Sequence, residues 1–281
     1  MMTLKVNQAR IVAAFLTYLI LSFAAILYAV PFAWLIANSF KTPAQIFKVP
    51  LEWIPRPFVL SNYVDSWNAQ PFALYYANSV VVTVFSILGA LVSCTLAGYG
   101  FARLEFAGRR LIFMAVIGVM ILPAQVTIIP RFLIFKNLGM LNTRWPLIIP
   151  FLLAPPFFIF LLRQFFASIP NELEDAATID GCSTFGILWR IITPVSKPAL
   201  TSVAIFVFRN TWNDFFNPLL YLTSKKKFTV PLGLMWFRND FFVEWHLLMA
   251  ATVLAILPGV IMFFSLQRYF VEGITLTGIK G

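Results

Sequence analysis

Residues 76–101 read YANSVVVTVFSILGALVSCTLAGYGF, a stretch without Asp, Glu, Lys or Arg. A helix that crosses the hydrocarbon core of a bilayer needs about 20 mainly apolar residues, and this stretch satisfies that requirement. Charge returns just beyond it, at Arg103, Glu105, Arg109 and Arg110 around Gly108, where a short turn is expected. Comparable runs cover 11–37, 111–129, 146–162, 199–222 and 247–266. The expected fold class is therefore an all-α integral membrane protein with six transmembrane helices, forming one membrane domain over 1–281.

The composition agrees. The chain is 60% hydrophobic and 11% charged, with 31 Phe, far from the averages of soluble domains. Its formal net charge of +10 is scattered over short loops rather than gathered on one stripe, so a nucleic-acid partner is not expected. The first run follows Lys5 and Arg10 but is too long for the apolar core of a cleaved leader, which has roughly 7–15 residues. Cys94 falls in an apolar run and Cys182 in a polar one. With His246 as the single histidine, neither a disulfide nor a metal site is expected.

Proline and tryptophan mark the connections. Pro43, Pro50, Pro55, Pro57 and Pro71, with Trp53 and Trp67, suit an external loop with short interfacial pieces. Pro123 and Pro130 predict a kink and an end in the third span, and Pro155 and Pro156 a distorted fourth span that Arg163 closes. Residues 136–145 read as a turn and 225–245 as a polar and aromatic loop, in which Lys225, Lys226 and Lys227 form a solvated charge run. Lys and Arg divide equally between the two sides, so the positive-inside rule leaves orientation open.

One segment departs from this apolar pattern: PNELEDAATIDGCSTFGILWRIITPVSKPAL, residues 170–200. Asn171 and Glu174 have capping-box spacing, Pro170 is compatible with a helix start, and Glu172, Glu174 and Asp175 complement the positive end of the helix dipole. Leu173, Ala176 and Ala177 share a narrow small-residue face, and Gly181 is the expected C-cap. Ser183 then caps a second helix whose Phe185, Leu188, Trp189 and Ile192 repeat at helical spacing as a greasy face, until Pro194 stops it. Helix signals alone favour an ordinary capped loop between spans, with acids that match the helix dipole.

In the fifth span, Asn210, Asn213, Asp214 and Asn217 recur on one helical face beside Arg209 and Trp212. Polar groups are costly in lipid and face the bundle interior or water. Either they line a path, or Arg209 pairs with Asp214 while the amides bond neighbouring helices. An ion-coupled secondary transporter using Asp214 and Arg209 is the alternative function this pair supports. The chain has no G-x-x-x-x-G-K-[ST] phosphate loop, and one histidine cannot assemble a nucleophile, base and orienter, so an enzyme is not expected.

EDAATIDGC followed by PVSKPAL resembles the E-A-A-x-x-x-G cytoplasmic loop of ABC importer permeases. NSFKTPAQIF, NYVDSW, GYGFARLEFAGRR, VTIIPRF, FLLRQFFASIP, TWNDFFNPL and QRYFVEGITLTGIKG extend the resemblance over almost the whole chain, to the carbohydrate type and the shorter permease of the maltose transporter. The resemblance implies the type I importer fold, with 163–198 as a cytoplasmic coupling segment docking an ATPase through Glu174, Asp175, Ala176, Ala177, Asp180 and Gly181. It implies a heterodimer with a second permease subunit, two ATP-binding subunits that carry ATP and Mg, an extracytoplasmic solute-binding protein and a sugar substrate. No cofactor is expected on this chain. Asn210, Trp212, Asn213, Asp214 and Asn217 become candidates for the sugar path, and Trp236, Phe237, Arg238 and Asn239 for contact with the binding protein. Gly278, Ile279, Lys280 and Gly281, in the tail 269–281, would contact the ATPases. The expected location is a bacterial or archaeal inner membrane, with both termini cytoplasmic. Asp175 stands where the motif has glutamate, one methylene shorter, with Glu174 as the alternative carboxylate; Cys182 replaces the usual alanine.

Overall fold

The computed structural model describes residues 2–238 and 243–278, with side chains over 10–238 and 243–267. The described secondary structure is helical apart from a single bridge between Arg238 and Val243. The helices are α1 (Met2–Ser39), α2 (Pro43–Ile46), α3 (Ser61–Ala69), α4 (Phe72–Arg103), α5 (Arg109–Ile121), α6 (Ile128–Asn137), α7 (Trp145–Leu152) and α8 (Pro156–Ser168). There follow α9 (Glu172–Ile179), α10 (Thr184–Ile187), α11 (Thr193–Val195), α12 (Lys197–Trp212), α13 (Phe216–Tyr221), α14 (Val230–Leu234) and α15 (Trp245–Gly278).

Four stretches are long and apolar enough to cross a membrane: Arg10–Ser39, Phe72–Arg103, Trp145–Ser168 and Trp245–Gln267. Two bent pairs, 109–137 and 184–212, raise the total to six if each is one span; their bends are 98° and 79°.

The bends refine the expected boundaries. The third span turns at Leu122–Pro123, and Pro130 does not end it, because Pro130 lies in the first turn of α6, where a missing N–H breaks no helical bond. Arg163 does not close the fourth span either. It lies inside α8, where its guanidinium stacks 4.2 Å over Phe113 and donates to the Phe101 carbonyl at 3.2 Å. The fifth span stops at Trp212 and the chain restarts as α13. The tail stays helical to Gly278; Ile279, Lys280 and Gly281 lie outside the described residues.

The chain separates into two compact units. The first comprises residues 1–70 and 236–255. In it, the amide of Asn62 donates to the carbonyls of Ser39 and Lys41, both at 2.9 Å, and so fastens α3 to the end of α1. Lys41 is only 1% exposed; its ammonium donates to Asn38 Oδ1 at 3.0 Å and lies 4.7 Å over the Trp34 ring. Burial lowers the Lys41 pKa, with Glu52 acting in the opposite direction.

The second unit, residues 71–235 and 256–281, is organised on α4, which packs against α7, α8 and α12. The buried face of α4 carries Asn78, Ser79, Thr83, Ser86, Gly89, Ala90, Cys94 and Gly98. Small side chains let helix backbones approach where apolar burial alone gives no drive in lipid. At Gly98 an added Cβ would lie 3.1 Å from Leu162 Cβ and 3.2 Å from the Arg163 nitrogen. Asn78 donates to the carbonyls of Lys226 and Phe228 at 3.0 and 2.8 Å, and the Val230 N–H donates to Ser79 at 2.9 Å, holding 226–230 against the start of α4.

Candidate functional site

The polar segment folds as two helical pieces, α9 and the run 184–195, in which residues 188–192 form a π turn between α10 and α11. The turn between them is set by hydrogen bonds. Gly181 adopts φ +80, its N–H donates to the Thr178 carbonyl at 3.0 Å, and the Cys182 N–H donates to Ala177 at 2.9 Å. These two bonds make a Schellman motif, which needs a residue in the left-handed region at this position. Ser183 accepts from the Gly186 N–H at 3.2 Å and caps the next helix as its sequence predicts.

The capping box at Asn171 and Glu174 does not form; both side chains turn to Arg103, at the end of α4. Arg103 Nε meets Glu174 Oε1 at 3.0 Å, a charge contact rather than an aligned hydrogen bond. The same guanidinium donates to Asn171 Oδ1 and to the carbonyls of Phe166, at 2.8 Å, and Ile169. Tyr99 donates to Glu174 Oε2 at 3.2 Å. The Arg103 and Glu174 side chains are only 10% and 18% exposed, so α9 is tied to α4 by a largely enclosed ion pair. A charge-assisted contact to an enclosed arginine competes better for these side chains than a local N-terminal cap.

Glu174 therefore faces its own chain. The outward surface of α9 and its turn carries Leu173, Asp175, Ala176, Ile179, Asp180 and Gly181, with Ile179 86% exposed. Ala176 and Ala177 divide, the second being buried with Ile187, Leu188 and Ile192 in the core shared with α4, α8 and α12. The greasy face expected on the second helix is corrected likewise. Leu188 and Ile192 are buried, but Phe185 and Trp189 point outward, 64% and 37% exposed, and meet edge to face at 6.0 Å. Ile187 takes the inner position that Phe185 was expected to occupy. What remains outside is an apolar patch with carboxylates beside it, supported from behind by a charge network.

The residues read as one face of the fifth span do not share a helix. Asn210 and Trp212 end α12, Asn213 and Asp214 lie in the break, and Asn217 belongs to α13. Asp214 does not pair with Arg209; its two carboxylate oxygens accept from the Asn217 backbone at 3.1 Å and the Asn217 side chain at 2.8 Å, capping α13. Asn213 donates back to the Arg209 carbonyl at 3.0 Å. Trp212 is buried against Phe208 and Tyr76, while Asn210 and Asn213 are exposed. In the loop 234–243, Trp236 and Arg238 are exposed, Phe237 is 1% exposed and so turned inward, and Asn239 lies outside the described residues. At the tail, the backbone of Gly278 ends α15.

Nothing in the sequence pattern singles out Arg103 or Tyr99: the first reads as a loop charge and the second as one more residue of an apolar span. The available signal was an arginine placed right at the end of a span. Its partner lies far along the chain and shows no periodic relation to it.

Comparison with known proteins gives a consistent result. Residues 89–276 match the family described as binding-protein-dependent transport system inner membrane component. The probable ABC transporter permease protein YurM of Bacillus subtilis is 36% identical over 269 residues, covering 94% of this chain and 87% of that protein. The arabinooligosaccharides transport system permease protein AraQ of the same organism is 34% identical, with 92% of each chain covered. The sulfoquinovosyl glycerol transport system permease protein SmoH of Agrobacterium fabrum is 33% identical, covering 89% and 88%. Among solved structures, a chain of a bacterial ABC transporter involved in the import of the acidic polysaccharide alginate superposes with a TM-score of 0.83 at 24% identity, covering 92% of this chain and 96% of that one.

Proposed function

Since the chain belongs to the family of binding-protein-dependent transport system inner membrane components, we propose that it is a membrane-spanning subunit of an ATP-driven importer of a sugar or oligosaccharide. The observation that carries this reading is the outward patch of Leu173, Ile179, Phe185 and Trp189 beside Asp175 and Asp180, on a segment fastened to α4 through Arg103. A soluble partner can grip that patch, and a pull on it passes to the helix at the centre of the second unit.

In this reading the segment docks an ATP-binding subunit on the cytoplasmic side, with both termini of the chain on that side. Two such subunits carry ATP and Mg, a second permease completes the path, and an extracytoplasmic binding protein delivers solute to the face carrying Trp236 and Arg238. The tail from Gly278 through Ile279 and Lys280 to Gly281 reaches the ATPases. Asp175 and Asp180 are the carboxylates available to the ATPase, since Glu174 is engaged with Arg103. Exposed Asn210 and Asn213 are the candidates for sugar hydroxyls. Asp214 is occupied by Asn217, and with no Arg209–Asp214 pair the ion-coupled alternative has no geometric basis.

Reconstitution with the candidate ATPase and binding-protein partners tests the reading. Uptake should require ATP and the binding protein. Uptake that continues without ATP and follows an imposed proton or sodium gradient would sink it.

A further inference from the structure

Within the second unit, a cavity of about 370 Å³ opens between the first half of α4 and the start of α7. It is lined by the apolar Val81, Phe85 and Ile148 together with Trp145, Arg144 and Lys227. Arg144 donates to Asn78 Oδ1, and Lys227 to the Asn142 carbonyl, so both cations are held in place. Neither forms an ion pair with a carboxylate among the described residues, and the enclosed Nε of Arg144 has no hydrogen-bond acceptor. Two fixed, uncompensated cations over apolar walls call for an anion with a hydrocarbon continuation, because a partly buried charge is costly without a counter-charge.

The position supports a lipid. Asn78, which holds Arg144, precedes Arg103 by 25 residues of one continuous helix. At 1.5 Å per residue that is roughly 37 Å, a little more than the hydrocarbon core of about 30 Å. The cations thus lie at the bilayer boundary opposite the polar segment 170–200, at the depth of lipid phosphates. Trp145, 54% exposed, suits the same depth, and Val80, Val84 and Leu88 extend an exposed apolar stripe down α4 from the cavity.

We propose that this cavity binds an anionic phospholipid, its phosphate against Arg144 and Lys227 and an acyl chain along Val81, Phe85 and Ile148. The inference is independent of the transported solute.

The test uses the full-length chain in its membrane complex, exchanged into phosphatidylglycerol or phosphatidylcholine, with retained lipid counted by native mass spectrometry. The wild type should retain phosphatidylglycerol about thirtyfold over phosphatidylcholine, given the attraction that each of the two cations exerts on anionic lipid. Arg144→Gln with Lys227→Gln should bring the ratio close to one; glutamine keeps a donor for Asn78. If the double variant does not assemble, Lys227→Gln alone should reduce the ratio severalfold. Equal retention of the two lipids by the wild type, or an unchanged preference in the variant that assembles, overturns the proposal. So does displacement of the lipid by millimolar inorganic phosphate, which would make this a site for a free anion. A photo-crosslinker at position 85 that captures another subunit instead of lipid also overturns it.

Discussion

Replacing Glu174 with glutamine removes one charge from the joint between the polar segment and α4 while keeping its shape. Breaking a fully enclosed ion pair costs about 3–5 kcal/mol, and breaking an exposed one about 0.2–1 kcal/mol. The pair at Arg103, with side chains 10% and 18% exposed, lies nearer the enclosed limit. Three other acceptors, Asn171 and the carbonyls of Phe166 and Ile169, continue to hold the guanidinium after the change. We therefore place the loss at about 2 kcal/mol, or roughly thirtyfold in the equilibrium between attached and detached α9. The check is a double-mutant cycle of Glu174→Gln and Arg103→Gln, read as unfolding in mixed micelles. A coupling energy of about 1 kcal/mol or more is expected, and additivity within about 0.5 kcal/mol refutes the joint. In the reconstituted complex the same variant should hydrolyse ATP with less solute moved per ATP. Asp175→Asn, exposed and outside the joint, should leave permease unfolding unchanged and weaken ATPase association.

Three further outcomes follow from local geometry. Because no atom lies within 4 Å of an added Cβ, Gly181→Ala should lower stability by about 1 kcal/mol through its left-handed backbone alone, and Gly181→Asn by less, since Asn tolerates that backbone region; Gly181→Glu should also block ATPase assembly, and normal assembly in that variant would count against the docking surface. Gly233→Ala should cost more than Gly89→Ala by thermal unfolding, within the 1–3 kcal/mol typical of overpacking. At Gly233 the new Cβ meets the fully buried Tyr75 ring at 2.3 Å, whereas at Gly89 it meets at 2.4 Å the far end of Leu152, which can move; equal losses would contradict this. Asp214→Ala should cost about 1 kcal/mol as a lost helix cap and leave ATP-driven uptake intact; abolished uptake with unchanged stability would return Asp214 to a transport role.

The apolar spans were legible because length and absence of charge are properties of a local window. So were the Gly181 and Ser183 caps, since each is satisfied by backbone within a few residues. The break at Asp214 was hidden: positions 210, 213, 214 and 217 fit a helical face as well as they fit a capped interruption, and only the Asn217 contacts decide. Phe185 and Trp189 had the same ambiguity, because periodicity groups apolar residues without saying whether the face they make is covered.

The sequence by itself determined an all-helical membrane chain with one folded polar segment, because burying unpaired backbone in lipid permits little else. Only the tertiary structure decided which carboxylate of that segment is engaged within the chain and which stays exposed. Glu174 and Asp175 are adjacent and nearly equivalent in the sequence, but consecutive helical residues point about 100° apart. Arg103, brought in at the end of α4 from 71 positions earlier, engages Glu174 and leaves Asp175 outside.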